Sequence, residues 1–195
     1  MKRWLALLLL PLLASCGYNT IQRLDEQANS AQGQIEVQLQ RRADLIPNLV
    51  NTVKGYATHE QTTLDEVTRA RAGLVSALQT HDAEQMANAN AQLTSSLGRL
   101  MVNVEAYPNL KADQSFIRLQ DELTGTENRI AVSRNDYNEA VKQYNAYIRQ
   151  FPAVLTAKVT GARDRKYFTA SSNAQTGPPT VDFLKPAATP PPAKP

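Results

Sequence analysis

The chain has little of what small proteins use for covalent or catalytic frameworks. It contains one cysteine, Cys16, and two histidines, His59 and His81, in 195 residues. A single cysteine excludes an internal disulfide, so packing must hold the fold. Glycine is sparse, at eight residues, and no glycine-rich phosphate loop or Gly-x-Ser-x-Gly elbow occurs. His59-Glu60 opens a string that reaches Thr63 where a zinc-protease helix needs its second histidine. Glu-x-x-His, the di-iron bundle motif, is absent. Proline is absent from long stretches: only Pro11, Pro47, Pro108 and Pro152 precede residue 178, whereas seven crowd into 178–195. No Lys/Arg cluster exceeds a short pair, which argues against nucleic-acid binding. The formal charge of +3 falls further without Lys2 and Arg3, leaving 19 basic against 18 acidic residues. No cofactor is expected.

The N-terminus carries the clearest signal. Lys2 and Arg3 precede an apolar run, Trp4 to Leu13, of about ten residues, too short for the roughly 20 that a spanning helix needs and right for an export signal. Leu13-Ala14-Ser15-Cys16-Gly17 resembles a bacterial lipobox. Small residues fit a peptidase pocket, and the Cys16 thiol can take a diacylglycerol group. Two or three acyl chains hold firmly where a single one is marginal. The expectation is a signal peptide over 1–15 and a protein anchored to membrane through acylated Cys16. With Gly17 rather than aspartate after the cysteine, a Gram-negative cell would send it to the outer membrane, facing the periplasm.

Between the leader and the proline-rich end, periodicity predicts an all-α fold, an antiparallel four-helix bundle over 16–168 followed by a flexible Pro-rich tail over 169–195. The first helix should start near Tyr18, with Ile21, Leu24, Ala28, Ala31, Ile35 and Leu39 as its apolar stripe. Pro47 should kink it or mark a restart, and Gly55 is a candidate cap. Thr58 and Gln61 match a capping box for the second helix, striped by Leu64, Val67, Leu74 and Leu78. The third carries Met86, Leu93, Leu97, Leu100 and Val104, and Pro108 closes it. Asp113 caps a long fourth helix of about 38 residues, or roughly 57 Å. In it Phe116, Leu123, Ile130, Tyr137, Tyr144 and Phe151 recur every seven residues, the mark of a packed seam. Two late patches, Tyr167-Phe168 and Val181 to Leu184, are candidates to fold back onto the bundle.

No nucleophile assembly is visible, so the expectation is a non-enzyme with no catalytic and no metal-ligating residues. One polar pattern stands out. Glu127 and Arg134 occupy a second seam with Val141 and Ile148, and Arg42 falls in register with Ile21, Ala28 and Ile35. Arg71 lies among the stripe of the second helix, Glu60 precedes it by a turn, and Glu105 ends the third. These six residues predict one or two buried Arg–Glu pairs, because the arginine fork binds carboxylates bidentately. The alternative is that their long stems reach out to water.

Several strings then coincide. Gln40 to Val50 (QRRADLIPNLV), Val53-Lys54-Gly55-Tyr56 with His59-Glu60, Ala70-Arg71, Glu105 to Lys111 (EAYPNLK), Glu127 to Ile130, Arg134, Tyr137-Asn138, Tyr144-Asn145 and Phe151-Pro152 together resemble the LemA family, in order over roughly 18–168. The resemblance implies an antiparallel four-helix bundle facing away from the cytoplasm, no established enzymatic activity, and unidentified envelope protein partners. Family members look anchored by a longer transmembrane helix; this chain has a lipobox at that point. The functional expectation is a lipid-anchored envelope scaffold or adaptor. A lipid- or peptide-binding bundle is the alternative, and a carboxylate metal site using Glu60, Glu105 and Glu127 is a further one.

Overall fold

The structure is a computed structural model; it describes the backbone of residues 2–57 and 60–170 and the side chains of 17–57 and 60–170. The fold is all-helical, with no strand among the described residues. The helices are α1 (Lys2–Lys54), α2 (Gln61–Thr80), α3 (Ala83–Val104), α4 (Pro108–Lys111), α5 (Gln114–Arg149) and α6 (Ala153–Thr160). The expected signals over 181–184 and most of the proline-rich tail lie outside the described residues, as do Thr58, His59 and the Cys16 side chain.

α1 does not begin near Tyr18. It runs unbroken from Lys2 to Lys54, because the leucine- and alanine-rich leader is itself good helix-forming sequence. No helix among the described residues is long and apolar enough to cross a membrane. Pro47 does not mark a restart of α1; it sits exposed in the interior of one continuous helix. Gly55 follows the end of α1 without positive φ; His81 and Gly161 are the described residues that adopt it, each closing a helix. Glu60, not Thr58, is the N-cap residue of α2, and its side chain makes no capping bond. Asp82 and Asp113 cap α3 and α5, each accepting from two backbone N–H groups. Pro108 opens the short α4 rather than closing α3, which ends at Val104; proline suits a first helical turn, where its missing N–H would have no partner.

α1 and α5 pair antiparallel along their length, α2 and α3 pair antiparallel, and α2 lies on the C-terminal half of α1. From Gly17 to Lys54, α1 measures about 57 Å, and α5 about 54 Å, but α2 and α3 only about 30 Å each at 1.5 Å per residue. The molecule therefore has two zones. In the upper zone Ile35, Leu39, Ile46 and Leu49 of α1, Leu64 and Leu74 of α2, Met86, Leu93 and Leu100 of α3 and Phe116, Leu123 and Ile130 of α5 fill one continuous core. In the lower zone Ile21, Leu24, Tyr144, Ile148 and Ala157 form a smaller cluster, where α6 packs on both long helices.

The heptad seam of α5 holds from Phe116 to Tyr144, all buried. Phe151 departs from it: α5 ends at Arg149, and Phe151 lies in the following turn, 81% exposed. Beyond α6, residues 162–170 run back up the bundle as a strap. Two asparagines one heptad apart on α5 fasten it. Asn145 accepts from the Arg165 N–H and donates to the Arg165 carbonyl, both at 2.9 Å. Asn138 accepts from the Phe168 N–H at 2.8 Å and donates to its carbonyl at 3.4 Å. The spacings match, since seven helical residues rise about 10.5 Å and three extended residues span about 10 Å. Between them the Tyr137 hydroxyl donates to the Lys166 carbonyl at 2.8 Å. Phe168 then enters the upper core at 3% exposure, while Tyr167 stays exposed.

Candidate functional site

The six charged residues singled out by register do not form one network. Arg42 is the one fully taken into the core, at 4% exposure. Its Nη1 donates to Asn90 Oδ1 of α3 at 2.7 Å and makes an ion pair with the Glu127 carboxylate of α5. Three helices thus meet on one guanidinium. Burial pulls the Arg42 pKa below its ordinary value, and the neighbouring Glu127 carboxylate offsets part of that fall. The Glu127 side chain is 46% exposed, so the pair straddles the surface, and water takes part of the carboxylate's solvation. Arg42 Nε and the Gln38 Oε1 one turn earlier are both buried without a hydrogen-bond partner among the described residues.

Arg71 does something else. Proline has no N–H, so Pro47 leaves the Ala43 carbonyl, four residues earlier, without its helical donor. Arg71 Nε of α2 donates to that carbonyl at 2.8 Å. The residue that register assigned to an Arg–Glu pair instead repairs the proline defect and ties α2 to α1. Asp44 and Asn48, neighbours of the proline, are engaged within α1: Gln40 donates to Asp44, and Thr52 to the Asn48 carbonyl.

The other three lie apart. Glu60 accepts from Asn103 and, at 3.2 Å, from the Tyr107 hydroxyl, joining the start of α2 to the end of α3. Glu105 is exposed and pairs with Lys111. Arg134 is not core-facing; it is exposed and makes no ion pair with a described residue. The second seam is buried at Val141 and Ile148 but open at Arg134, where a guanidinium with no carboxylate opposite it is held in water by the cost of burying an unpaired charge. Glu60, Glu105 and Glu127 take three separate sets of partners, and no group of three or more His, Cys, Asp or Glu among the described residues could hold a metal ion.

Register missed the second polar centre. Arg165 of the strap donates to Asp25 at 2.8 Å and Asn29 at 2.7 Å on α1, and stacks 5.7 Å from the Tyr144 ring centroid. Arg149 grips Asp164 through two bonds, and Lys166 reaches Asp82 in the α2–α3 turn at 2.9 Å. The sequence clue was Tyr137-Asn138 and Tyr144-Asn145, polar side chains repeating at seven with no partner on a neighbouring helix.

Two surface grooves accompany these centres. One, of about 800 Å³, runs between α1 and α2 beside Gly33, Val37, Leu45 and Leu78, with Arg41 and Asp44 on its rim. The other, about 500 Å³, is more polar and lies between α1 and α5 at Asn48, Asn51, Ser115 and Arg118.

Residues 31–183 match the LemA family. The chain is 28% identical over 174 residues to magnetosome protein MamQ 2 of Paramagnetospirillum magneticum, covering 77% of this chain and 64% of that protein. It is 25% identical to magnetosome protein MamQ of Magnetospirillum gryphiswaldense over the same shares. With protein LemA of Metamycoplasma hominis it shares 25% identity across 68% of this chain and 60% of the other. The chain thus spans less than two thirds of the length of these relatives.

Proposed function

From the premise that this chain belongs to the LemA family, we propose that it is a lipid-anchored, non-enzymatic adaptor of the cell envelope, an antiparallel four-helix bundle held to the membrane through acylated Cys16. The observation that carries this reading is the place of Cys16 in α1, a little more than one turn ahead of the core-forming stripe that starts at Ile21 and Leu24. An anchor at Cys16 then sits at the foot of a rod about 57 Å long, and the upper zone is held away from the lipid. The polar centres support the same reading. Each is tied up in joining helices, and none places a nucleophile beside a base. The magnetosome relatives are named for a cellular structure rather than for a reaction, which agrees with an adaptor role.

Two experiments test it. Radiolabelled palmitate should enter the protein in cells and fail to enter Cys16→Ala; equal labelling of both removes the lipid anchor. Crosslinking in intact envelopes should recover the same partner protein reproducibly with the wild-type chain; recovery of none removes the adaptor role. A second reading, a peptide-binding bundle, is favoured by the groove beside Gly33, where Val37 is 63% exposed. A Val37→Asp variant that keeps its crosslinked partner rules that reading out.

A further inference from the structure

The helix α6 is built inside out. Its inward face carries only Ala153 and Ala157, both at 4% exposure, against α1 and α5. Its outward face carries the large side chains: Leu155 is 56% exposed and Val159 88%, one turn apart, with Phe151 at 81% in the turn just before. Large apolar side chains gathered on the outward face of a helix are normally covered. Nothing in the described chain covers this one.

Its position says what does. Gly17, the residue after Cys16, lies so close to α6 that a Cβ there would stand 3.3 Å from the Thr156 Oγ1 and 3.9 Å from the Ala153 Cα. The bare apolar face therefore sits at the foot of the bundle, beside the point where the apolar leader meets it. The charges agree: Lys158, exposed within α6, and Arg163, exposed just after it, make no ion pair with a described residue, whereas the acidic Asp164 is already taken by Arg149.

We propose that the outer face of α6 lies on the membrane itself, with Leu155, Val159 and Phe151 at the acyl boundary and Lys158 and Arg163 at anionic headgroups. This rests on the anchor reading above, because so short a helix holds to lipid only when a tether keeps it there. Docking at two points would fix the angle between the bundle and the membrane, which a single flexible tether leaves free.

The test uses the full acylated chain purified from membranes, in vesicles of phosphatidylethanolamine and phosphatidylglycerol that carry doxyl-labelled lipid. With Cys16 blocked by its lipid, a Val159→Cys substitution offers one thiol for a fluorescent label. Val102→Cys is the reference; it is 72% exposed near the end of α3, at the far end of the bundle. The label at 159 should be quenched several-fold more by doxyl lipid than the label at 102, and several-fold less by aqueous iodide. Iodide reaching both labels equally in protein that still floats with the vesicles overturns the docking and leaves the anchor standing. Failure to float overturns both. Shielding from iodide without doxyl quenching means that protein covers the face, a second copy or another partner, and also overturns the proposal.

Discussion

The two zones of the bundle share the same two helices and solve the same problem differently. In the upper zone α1 and α5 are closed by α2 and α3 through side chains such as Leu39, Leu64, Leu74 and Leu93, all essentially without exposure. In the lower zone the partners are an eight-residue helix and a strap, and five buried apolar residues are supplemented by Asn145 bonding to the Arg165 backbone and by the Arg165 side chain bonding to Asp25 and Asn29 of α1. Apolar packing is cooperative and resists partial opening. Side-chain bonds to a strap, each worth about 1 kcal/mol net, open more readily one at a time. Together they teach that a long helical pair can carry a rigid half and an adjustable half without any change in its own secondary structure.

The largest effect should separate the zones outright. Leu39→Ala is expected to cost about 4 kcal/mol, because its site has no surface through which to relax. Leu24→Ala, at 6% exposure in the lower cluster, should cost about 2 kcal/mol. Urea denaturation of both variants checks this, and equal losses break the comparison.

Next comes the Arg42 centre. Glu127→Ala leaves a buried guanidinium with only Asn90 and should cost about 3 kcal/mol. Arg42→Met removes the buried charge and leaves a half-exposed carboxylate that water can solvate, so its cost should stay near 1 kcal/mol. The reverse order of melting temperatures would place the burden on the wrong partner.

The Arg71 assignment is sharpened by a cycle. Arg71→Met leaves the Ala43 carbonyl without a donor and should cost about 2 kcal/mol. Pro47→Ala restores the helical N–H, so in that background the same change should cost about half as much or less. Additive losses would mean that Arg71 does not answer the proline.

The smallest effect joins the zones. The Lys166 ammonium, with the Gln85 and Glu84 N–H groups, holds the Asp82 carboxyl below the usual carboxylate range. A depressed folded value means that the contribution, about 1 kcal/mol for a cap, is present above the unfolded value near 3.9 and fades as pH falls through the folded value. Asp82→Ala should lose that much at neutral pH and flatten the acid limb of the stability curve.

The apolar stripes were legible because helical periodicity survives any packing partner: Ile21 through Leu39, Met86 through Val104 and Phe116 through Tyr144 lie where the spacing puts them, Ala31 alone being only half-buried. Asp113 was legible as a cap because its chemistry is local. Phe151 was not, since a heptad continues on paper past the residue where the helix stops. The polar residues were the hardest. Register places Arg42, Arg71 and Arg134 near a core, but whether each meets a carboxylate, an orphaned carbonyl or water depends on which helix stands opposite. The strap was legible only at Tyr167-Phe168, an apolar pair in polar surroundings whose Phe168 does fold back into the core; the rest left no pattern, because its backbone is held by asparagines on another element.

Native-state hydrogen exchange, followed amide by amide, tests the two-zone account most directly. Amides of α6 should exchange by partial opening well below the free energy of global unfolding, together with the strap amide of Arg165. Those around Leu39, Leu74 and Leu93 should exchange only when the whole chain unfolds. A single common free energy across both sets would contradict it.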